Sequence, residues 1–320
     1  MNSSQPIIRP LAFLLTALSA FLSVSPPLLA KTAAVDAEPA LGEEWVRVAE
    51  DENGKPQALE VAIVRYLPAK QAKQFLQANT PKGLPQTRQF IDLIGAVHVG
   101  DAQYYAQLNR RFRQYQALLY ELVAPPGTRL ERGRGTSNLH PVGAMQNSMK
   151  SLLEVEHQLE KIDYTRPNFV HADMSPEEFA SSMESREESF MKMYTRMMEQ
   201  AIALQSEQAA QGESTDLELF TALFSSDRPR MLKTAIAKQF QSMESVLSGM
   251  SGPEGSTLIT ERNKKALEVL RQELRKSKQK IGIFYGAGHL TDMHERLVKD
   301  FGYEPVGIVW VEAWDLRKKK

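Results

Sequence analysis

The sequence contains no cysteine among its 320 residues. Disulfide bonds, thiolate nucleophiles and zinc sites built on thiolates are therefore excluded, and so is lipid attachment at a cysteine. Cysteine usage is a common guide to the redox compartment of a protein. Because the chain has no cysteine, its compartment must be inferred from other features of the sequence.

The sequence also lacks an excess of charge of either sign. It has 39 Lys and Arg residues and 39 Asp and Glu residues, and no basic run with interleaved aromatic side chains. A balanced chain produces no long-range field that would attract a polyanion. Nucleic acid is therefore not an expected partner. With 42% hydrophobic residues, the chain has the composition of an ordinary globular protein.

Several well-known active-site motifs are missing as well. No G-x-S-x-G turn follows a predicted strand, and neither a phosphate-binding G-x-x-x-x-G-K-[ST] loop nor a dinucleotide-binding G-x-G-x-x-G loop occurs. The H-E-x-x-H signature of many zinc peptidases is also absent. The sequence therefore gives no support to those types of serine hydrolase, nucleotide-binding protein or zinc peptidase.

Long apolar runs are missing too, except near the start of the chain. There Arg9 precedes the run LAFLLTALSAFLSV, and the following SPPLLA ends in a small residue. Pro26 and Pro27 interrupt the apolar helix before it reaches the about 20 residues that a membrane span needs. The pattern predicts a secretory signal at 1–30 and a polar linker at 31–43. An uncleaved N-terminal membrane anchor is the alternative.

A cleaved signal implies an exported protein, periplasmic or secreted, with no stable membrane span. The rest of the chain, 44–320, alternates strand-like and helix-like patterns, which predicts a single α/β domain. We expect a mixed, largely parallel central sheet flanked by helices, opened by two antiparallel strands around the turn dipeptide Asn53–Gly54. Residues from about 144 to 250 favour helices and predict a helical insertion.

Two Gly-x-x-His tetrads mark the most informative positions. GAVH ends at His98 and GAGH ends at His289, and each tetrad follows an apolar strand and precedes a helix. In open α/β sheets, ligands bind outside the carboxyl ends of the strands, where side chains from several strands converge. One such histidine alone more often has a structural role, whereas two in equivalent contexts favour a shared site.

Glu121 is the third candidate, because YELVA places a carboxylate at the end of an otherwise apolar strand. Burial of a carboxylate is unfavourable unless a cation, a metal or a donor compensates it. With His98 and His289 it matches the two-histidine, one-carboxylate sets that hold divalent metals and leave open positions for water. Such a metal would lower the pKa of the bound water. Alternatively, Glu121 forms a buried ion pair with Arg262.

Two further charged residues are candidates for substrate contacts. Arg262 opens a helix just before the second histidine strand, where it could stabilise an oxyanion or bind a substrate carboxylate. Asp101 lies three residues after His98 at the start of a helix. For Asp101 a helix N-cap role is favoured over metal binding, substrate binding or orientation of the histidine.

The segment FVHADMSPEEF contains another pair of polar side chains. His171 and Asp173 precede a helix whose predicted N-cap is Ser175. They could contribute to a lid over the site, but an ordinary surface loop is favoured.

Four segments resemble, in order and spacing, the TraB/PrgY/GumN family, to which the TIKI proteases are related: IGAVHVGDAQYY, LLYELVA, ITERNKKALEVL and FYGAGHLTDMHERLVKDFGYE. The likeness covers roughly residues 87–127 and 257–313. Its specific elements map onto His98, Glu121, Arg262, Asn263 and His289. The resemblance implies a fold related to erythromycin esterases and ChaN-like haem-binding proteins, and it adds Asn263 as a substrate-binding candidate. Some members are Mn- or Co-dependent peptidases.

Three functions are consistent with these residues. The first is an exported metal-dependent, peptidase-like hydrolase, in which His98, Glu121 and His289 bind Mn, Co or Zn and activate water, while Arg262 stabilises developing charge. The second is a metal-independent, esterase-like hydrolase with His98 as a general base oriented by Glu121. The third is a non-catalytic protein that binds a peptide or a haem-type ligand. The expected partner is a peptide or small molecule.

Overall fold

A computed structural model describes residues 40–78, 83–125, 155–189, 224–249 and 255–318, with a few isolated positions between these ranges. The predicted signal at 1–30 lies outside the described residues. The strands are β1 (Val46–Glu50), β2 (Pro56–Pro68), β3 (Phe90–Ala96), β4 (Val99–Gly100), β5 (Ala117–Tyr120), β6 (Glu156–His157), β7 (Phe169–His171), β8 (Lys280–Gly286) and β9 (Tyr303–Asp315). The helices are α1 (Ala69–Ala78), α2 (Ala102–Arg111), α3 (Gln158–Lys161), α4 (Pro176–Ser185), α5 (Arg228–Gly249), α6 (Arg262–Arg275) and α7 (Leu290–Phe301).

The main sheet has seven strands, and six of them run in the same direction. Only β2 runs the opposite way, antiparallel to β1 and β3 along one edge and to β9 along the other. Beyond β3 the strands β8, β5 and β7 follow in that order, all parallel. The structure therefore confirms the predicted α/β fold with a mixed, largely parallel sheet. A separate two-stranded sheet pairs β4 with β6.

The predicted local patterns account for most of these elements. Asn53 and Gly54 form the turn between β1 and β2, and Gly54 has a positive φ of 73° that glycine adopts without strain. Helix α7 ends at Gly302, which has the left-handed conformation typical of a helix C-terminus. Ser175 caps α4 in a reciprocal capping box with Glu178.

The order of the parallel strands determines where the candidate residues meet. The chain passes from β3 through α2 to β5, as the sequence predicted, but β8 lies between these two strands. All seven residues of β3 are buried, as expected for a strand covered on both faces. The strands that precede His98, His289 and Glu121 are therefore three consecutive neighbours, and their carboxyl ends lie at one edge of the sheet.

The predicted helical insertion at about 144–250 contains more than helices. The described part includes α3, α4 and α5, but it also includes β7, which pairs with β5 in the main sheet. The three residues of β7 are too few to produce a recognisable strand pattern. The domain boundaries themselves stay predictions. Among the described helices, none has both the length and the apolar character required to cross a bilayer.

The sheet also contains a buried ion pair that the sequence did not reveal. Arg65 on β2 and Asp92 on β3 have side-chain exposures of 1% and 0%, and two hydrogen bonds of 2.7 and 2.8 Å join them. Tyr115 donates a further 2.7 Å hydrogen bond to Asp92, and Arg65 donates one of 2.6 Å to the carbonyl oxygen of Pro85. Loss of one partner would leave the other charge buried without compensation.

We expect Asp92→Ala to lower the free energy of unfolding by about 3–5 kcal/mol, because Arg65 would remain buried and uncompensated. The matched control is Glu295→Ala, which breaks an exposed ion pair with Lys299 on α7 and should change stability by less than about 1 kcal/mol. Urea denaturation of both variants measures the difference. Equal effects of the two substitutions would contradict the structural role assigned to the Arg65–Asp92 pair.

Candidate functional site

The carboxyl ends of four adjacent parallel strands each supply one polar side chain to the same edge of the sheet. The strands β3, β8, β5 and β7 are followed by His98, His289, Glu121 and Asp173, respectively. Three of these four residues were predicted from the sequence. The fourth, Asp173, was assigned to a surface loop, and its 3% exposure shows that this assignment was wrong.

Arg262, the first residue of α6, contacts three of these four side chains. Its Nε and Nη2 donate to the two carboxylate oxygens of Asp173 at 2.9 and 2.6 Å. Nη2 also donates to Oε1 of Glu121 at 2.8 Å. Nη1 lies 3.3 Å from Nε2 of His289 and 3.5 Å from the carbonyl oxygen of Leu258. These five contacts match the five N–H groups of a guanidinium.

These contacts change the role that the sequence suggested for Arg262, because each of its N–H groups already has a partner in the protein. A guanidinium whose five N–H groups are all engaged has no donor left for a substrate oxyanion or carboxylate. The alternative prediction, a buried ion pair between Glu121 and Arg262, is confirmed by the contact between them. Arg262 therefore holds two carboxylates in place, and direct binding of substrate by Arg262 has no support in this arrangement.

The local backbone places Arg262 where both carboxylates can reach it. A π-helical turn at Thr257–Glu261 precedes α6, and the Ser256 hydroxyl accepts a hydrogen bond from the backbone N–H of Ile259 at its start. Such turns are rare and often occur at functional sites. The turn leads directly into Arg262, which is 6% exposed.

Glu121 is held in its ionised form. Burial is the largest single influence and would raise the pKa of this carboxyl, but Arg262, His289 and His98 together outweigh it, and the pKa lies well below its ordinary value of 4.5. The backbone N–H of Gly286 also donates to Oε2 at 2.7 Å. Glu121 is therefore a carboxylate at neutral pH and is not available as a proton donor.

The first glycine of each tetrad, Gly95 and Gly286, has a different role. A Cβ on Gly286 would lie 3.3 Å from Oε2 of Glu121, so the absence of a side chain lets the carboxylate approach the strand end. A Cβ on Gly95 would lie 2.4 Å from Cγ1 of Val61, which means that this glycine accommodates packing from β2. Of Gly95 and Gly286, only Gly286 therefore contacts a residue of the site.

The two histidines have opposite environments. His289 is 5% exposed, its Nδ1 lies 2.7 Å from Oδ1 of Asn263, and its Nε2 lies 3.5 Å from Oε1 of Glu121. His98 is exposed, and among the described residues its ring has no hydrogen-bond partner. Its charge nevertheless lowers the pKa of Glu121, so the two groups are electrostatically coupled. His98 is the accessible histidine of the site.

The predicted metal ligands do not form a metal-binding arrangement in this structure. Within the described ranges, no group of three or more histidine and acidic side chains is placed to hold a metal ion. The guanidinium of Arg262 contacts Oε1 of Glu121 and Nε2 of His289, two of the atoms that such an ion would use. A second cation between them would also be repelled by Arg262. The donor set of His98, Glu121 and His289 therefore does not fit a metal while Arg262 is in place.

The two residues proposed to bind substrate have other partners. Asp101 lies at the N-cap of α2, but its side chain makes no capping hydrogen bond. It accepts instead from Nζ of Lys233 on α5 at 2.5 Å and from the backbone N–H of Asp315 at 2.7 Å. Asn263 is 0% exposed and makes its contacts within the protein. Substrate binding by either residue stays a prediction that their present contacts do not favour.

Comparison with protein-family models, curated proteins and solved structures gave no match. The resemblance to the TraB/PrgY/GumN family therefore stays a prediction. The functional assignment rests on the arrangement of the described residues.

The lowered pKa of Glu121 predicts a specific loss of stability in acid. Because the folded pKa lies below the ordinary value, the ionised carboxylate stabilises the fold above about pH 4.5, and that contribution is lost as the pH falls through the folded pKa. At neutral pH we expect Glu121→Gln to cost about 3–5 kcal/mol. This difference in the free energy of unfolding between wild type and variant should become progressively smaller as the pH is lowered.

Urea denaturation of wild type and Glu121→Gln across an acidic pH series measures this gap. The control Glu295→Gln removes an exposed carboxylate and should stay close to wild type at neutral pH. If the difference in the free energy of unfolding between wild type and Glu121→Gln stays constant down to strongly acidic pH, Glu121 is not stabilised in its ionised form.

Proposed function

We propose that this protein is an exported hydrolase that activates water at the carboxyl edge of its sheet without requiring a metal. The observation that carries the proposal is an exposed histidine, His98, at the same edge of the sheet as a carboxylate, Glu121, that is hydrogen-bonded to Arg262. A histidine beside a fixed carboxylate is suited to general-base catalysis because the carboxylate stabilises the imidazolium that forms. Export depends on the predicted signal at 1–30.

The chemistry follows from the protonation states of the two groups. Neutral His98 would remove a proton from a water molecule as the water oxygen forms a bond to the carbonyl carbon of the substrate. The imidazolium of His98 would be stabilised by the negative charge of Glu121. When the acyl bond breaks, His98 would return the proton to the leaving oxygen or nitrogen. Arg262 and Asp173 do not contact the reacting atoms in this scheme and keep Glu121 in place.

The charge of the cluster limits the class of substrate. The carboxylates of Glu121 and Asp173 together carry two negative charges, whereas Arg262 supplies one positive charge whose donors are all engaged. With neutral histidines the cluster is therefore negative overall, which disfavours an anionic group beside it. An uncharged or cationic ester or amide, including a peptide, is the substrate class that this edge favours.

A metal-dependent reaction is the second candidate, and one observation favours it. Nδ1 of His289 is hydrogen-bonded to Asn263, an arrangement that commonly orients a metal-binding histidine through its other nitrogen. In this candidate His98, Glu121 and His289 would hold the ion, which would supply an acidic bound water. This candidate requires the contact between Nη1 of Arg262 and Nε2 of His289 to break, so that Nε2 can bind the ion.

Hydrolysis of a panel of neutral esters and peptides by the mature chain, before and after exhaustive chelation, tests the proposal. We expect activity to survive chelation and His98→Ala to reduce it by about 100-fold or more, because the general base is lost. The fold should be retained, since the exposed ring of His98 contributes little packing. The control His294→Ala removes a histidine whose ring contacts Tyr66 and should retain activity.

The other functions predict different results for the same samples. If about one Mn, Co or Zn ion is retained per chain, and both His98→Ala and His289→Ala lose it, the metal-dependent candidate replaces the first proposal. Stoichiometric binding of a peptide or of haem without turnover would instead support a binding protein. Unchanged activity in His98→Ala would remove the basis of the first proposal.

A further inference from the structure

The side-chain amide of Asn263 is oriented by its donor contacts. Its Nδ2 donates to the carbonyl oxygen of His289 at 2.9 Å and to Oδ2 of Asp292 at 2.8 Å. Asp292 in turn accepts two hydrogen bonds from Arg296, at 2.8 and 2.9 Å, so both of its oxygens act as acceptors. Because both neighbours of Nδ2 are acceptors, the nitrogen must point toward them. The amide oxygen of Asn263 therefore faces the ring of His289.

This orientation determines which ring nitrogen of His289 carries the proton. Oδ1 of Asn263 is an acceptor that lies 2.7 Å from Nδ1, so Nδ1 must be the donor. The neutral ring then has a lone pair at Nε2. The 3.3 Å contact between Nη1 of Arg262 and Nε2 is compatible with this assignment, because Nη1 donates there when Nε2 carries no proton.

We propose that Asn263 is a positioning residue that fixes the tautomer of His289 and, through it, the orientation of Arg262. With Nε2 as an acceptor, His289 holds Nη1 of Arg262 while Nη2 donates to Glu121. With the opposite tautomer, an N–H of His289 would oppose an N–H of Arg262, and the guanidinium would lose one of its five partners. Only the catalytic consequence rests on the proposed function, since the tautomer exists independently of turnover.

The same contacts form a continuous polar chain from the outside of α7 to the site. Arg296 binds Asp292, Asp292 binds Asn263, and Asn263 binds His289. His289 then contacts Arg262, which binds Glu121. Asn263 is 0% exposed, so its effect on the reaction must pass through His289 and not through contact with substrate.

Long-range ¹H–¹⁵N spectra of the full chain labelled with ¹⁵N-histidine, at a pH that keeps imidazoles neutral, report the tautomer directly. The signals of His289 are assigned by their loss in His289→Gln. We expect a protonated Nδ1 and an unprotonated Nε2 in wild type, and loss of this single tautomer in Asn263→Ala. Asn263→Asp with Asp292→Asn keeps an acceptor facing Nδ1 and should restore the wild-type tautomer, at lower stability because the donor to the His289 carbonyl oxygen is lost.

If the hydrolase activity is established, Asn263→Ala should lower kcat by about 10- to 100-fold with little change in KM. The double variant should recover part of that loss. An Nε2-protonated ring in wild type would overturn the inference even if no variant of Asn263 folds, and so would an unchanged tautomer in a folded Asn263→Ala protein. Absence of any hydrolysis with the expected tautomer would instead count against the proposed function alone.

Discussion

The buried guanidinium of Arg262 is the interaction on which the rest of the site depends. Two carboxylates, Glu121 and Asp173, lie at the ends of neighbouring parallel strands, where burial of uncompensated negative charge would be costly. Burial lowers the pKa of Arg262, but Asp173 and Glu121 outweigh it and raise the pKa above its ordinary value. Arg262 is therefore permanently charged and compensates the burial of the two carboxyl groups that it contacts.

The fold produces this meeting point through its strand order. The strand before His289 lies between those before His98 and Glu121, and the strand before Asp173 is next to the last of these. A helix that begins at Arg262 then supplies the cation to the same edge of the sheet. The candidate residues at this edge therefore differ in exposure: His98 is exposed, Glu121 is partly buried, and Arg262 and Asp173 are buried.

The sequence predicted the parts of this arrangement that depend on local pattern. Apolar strands, the Asn53–Gly54 turn and the Ser175 cap were recognisable because each depends on a few consecutive residues. Asp173 was missed because the strand before it has only three residues, too few for a periodic signal. The Arg65–Asp92 pair was missed because its partners are 27 residues apart and meet only through strand pairing. The hydrogen bonds of Arg262 were likewise missed, because most of its partners are distant in the sequence and no local pattern indicates them.

The role of Arg262 is tested most directly by titration of the Glu121 carboxyl, measured by ¹³C NMR of the full chain in wild type and in Arg262→Met. We expect a pKa for Glu121 well below 4.5 in wild type, because Arg262, with His289 and His98, outweighs burial. In Arg262→Met the largest of the charges that oppose burial is removed, and the pKa should rise above that value. A wild-type Glu121 that titrates at or above 4.5 would show that Arg262 is not the cation that organises this site.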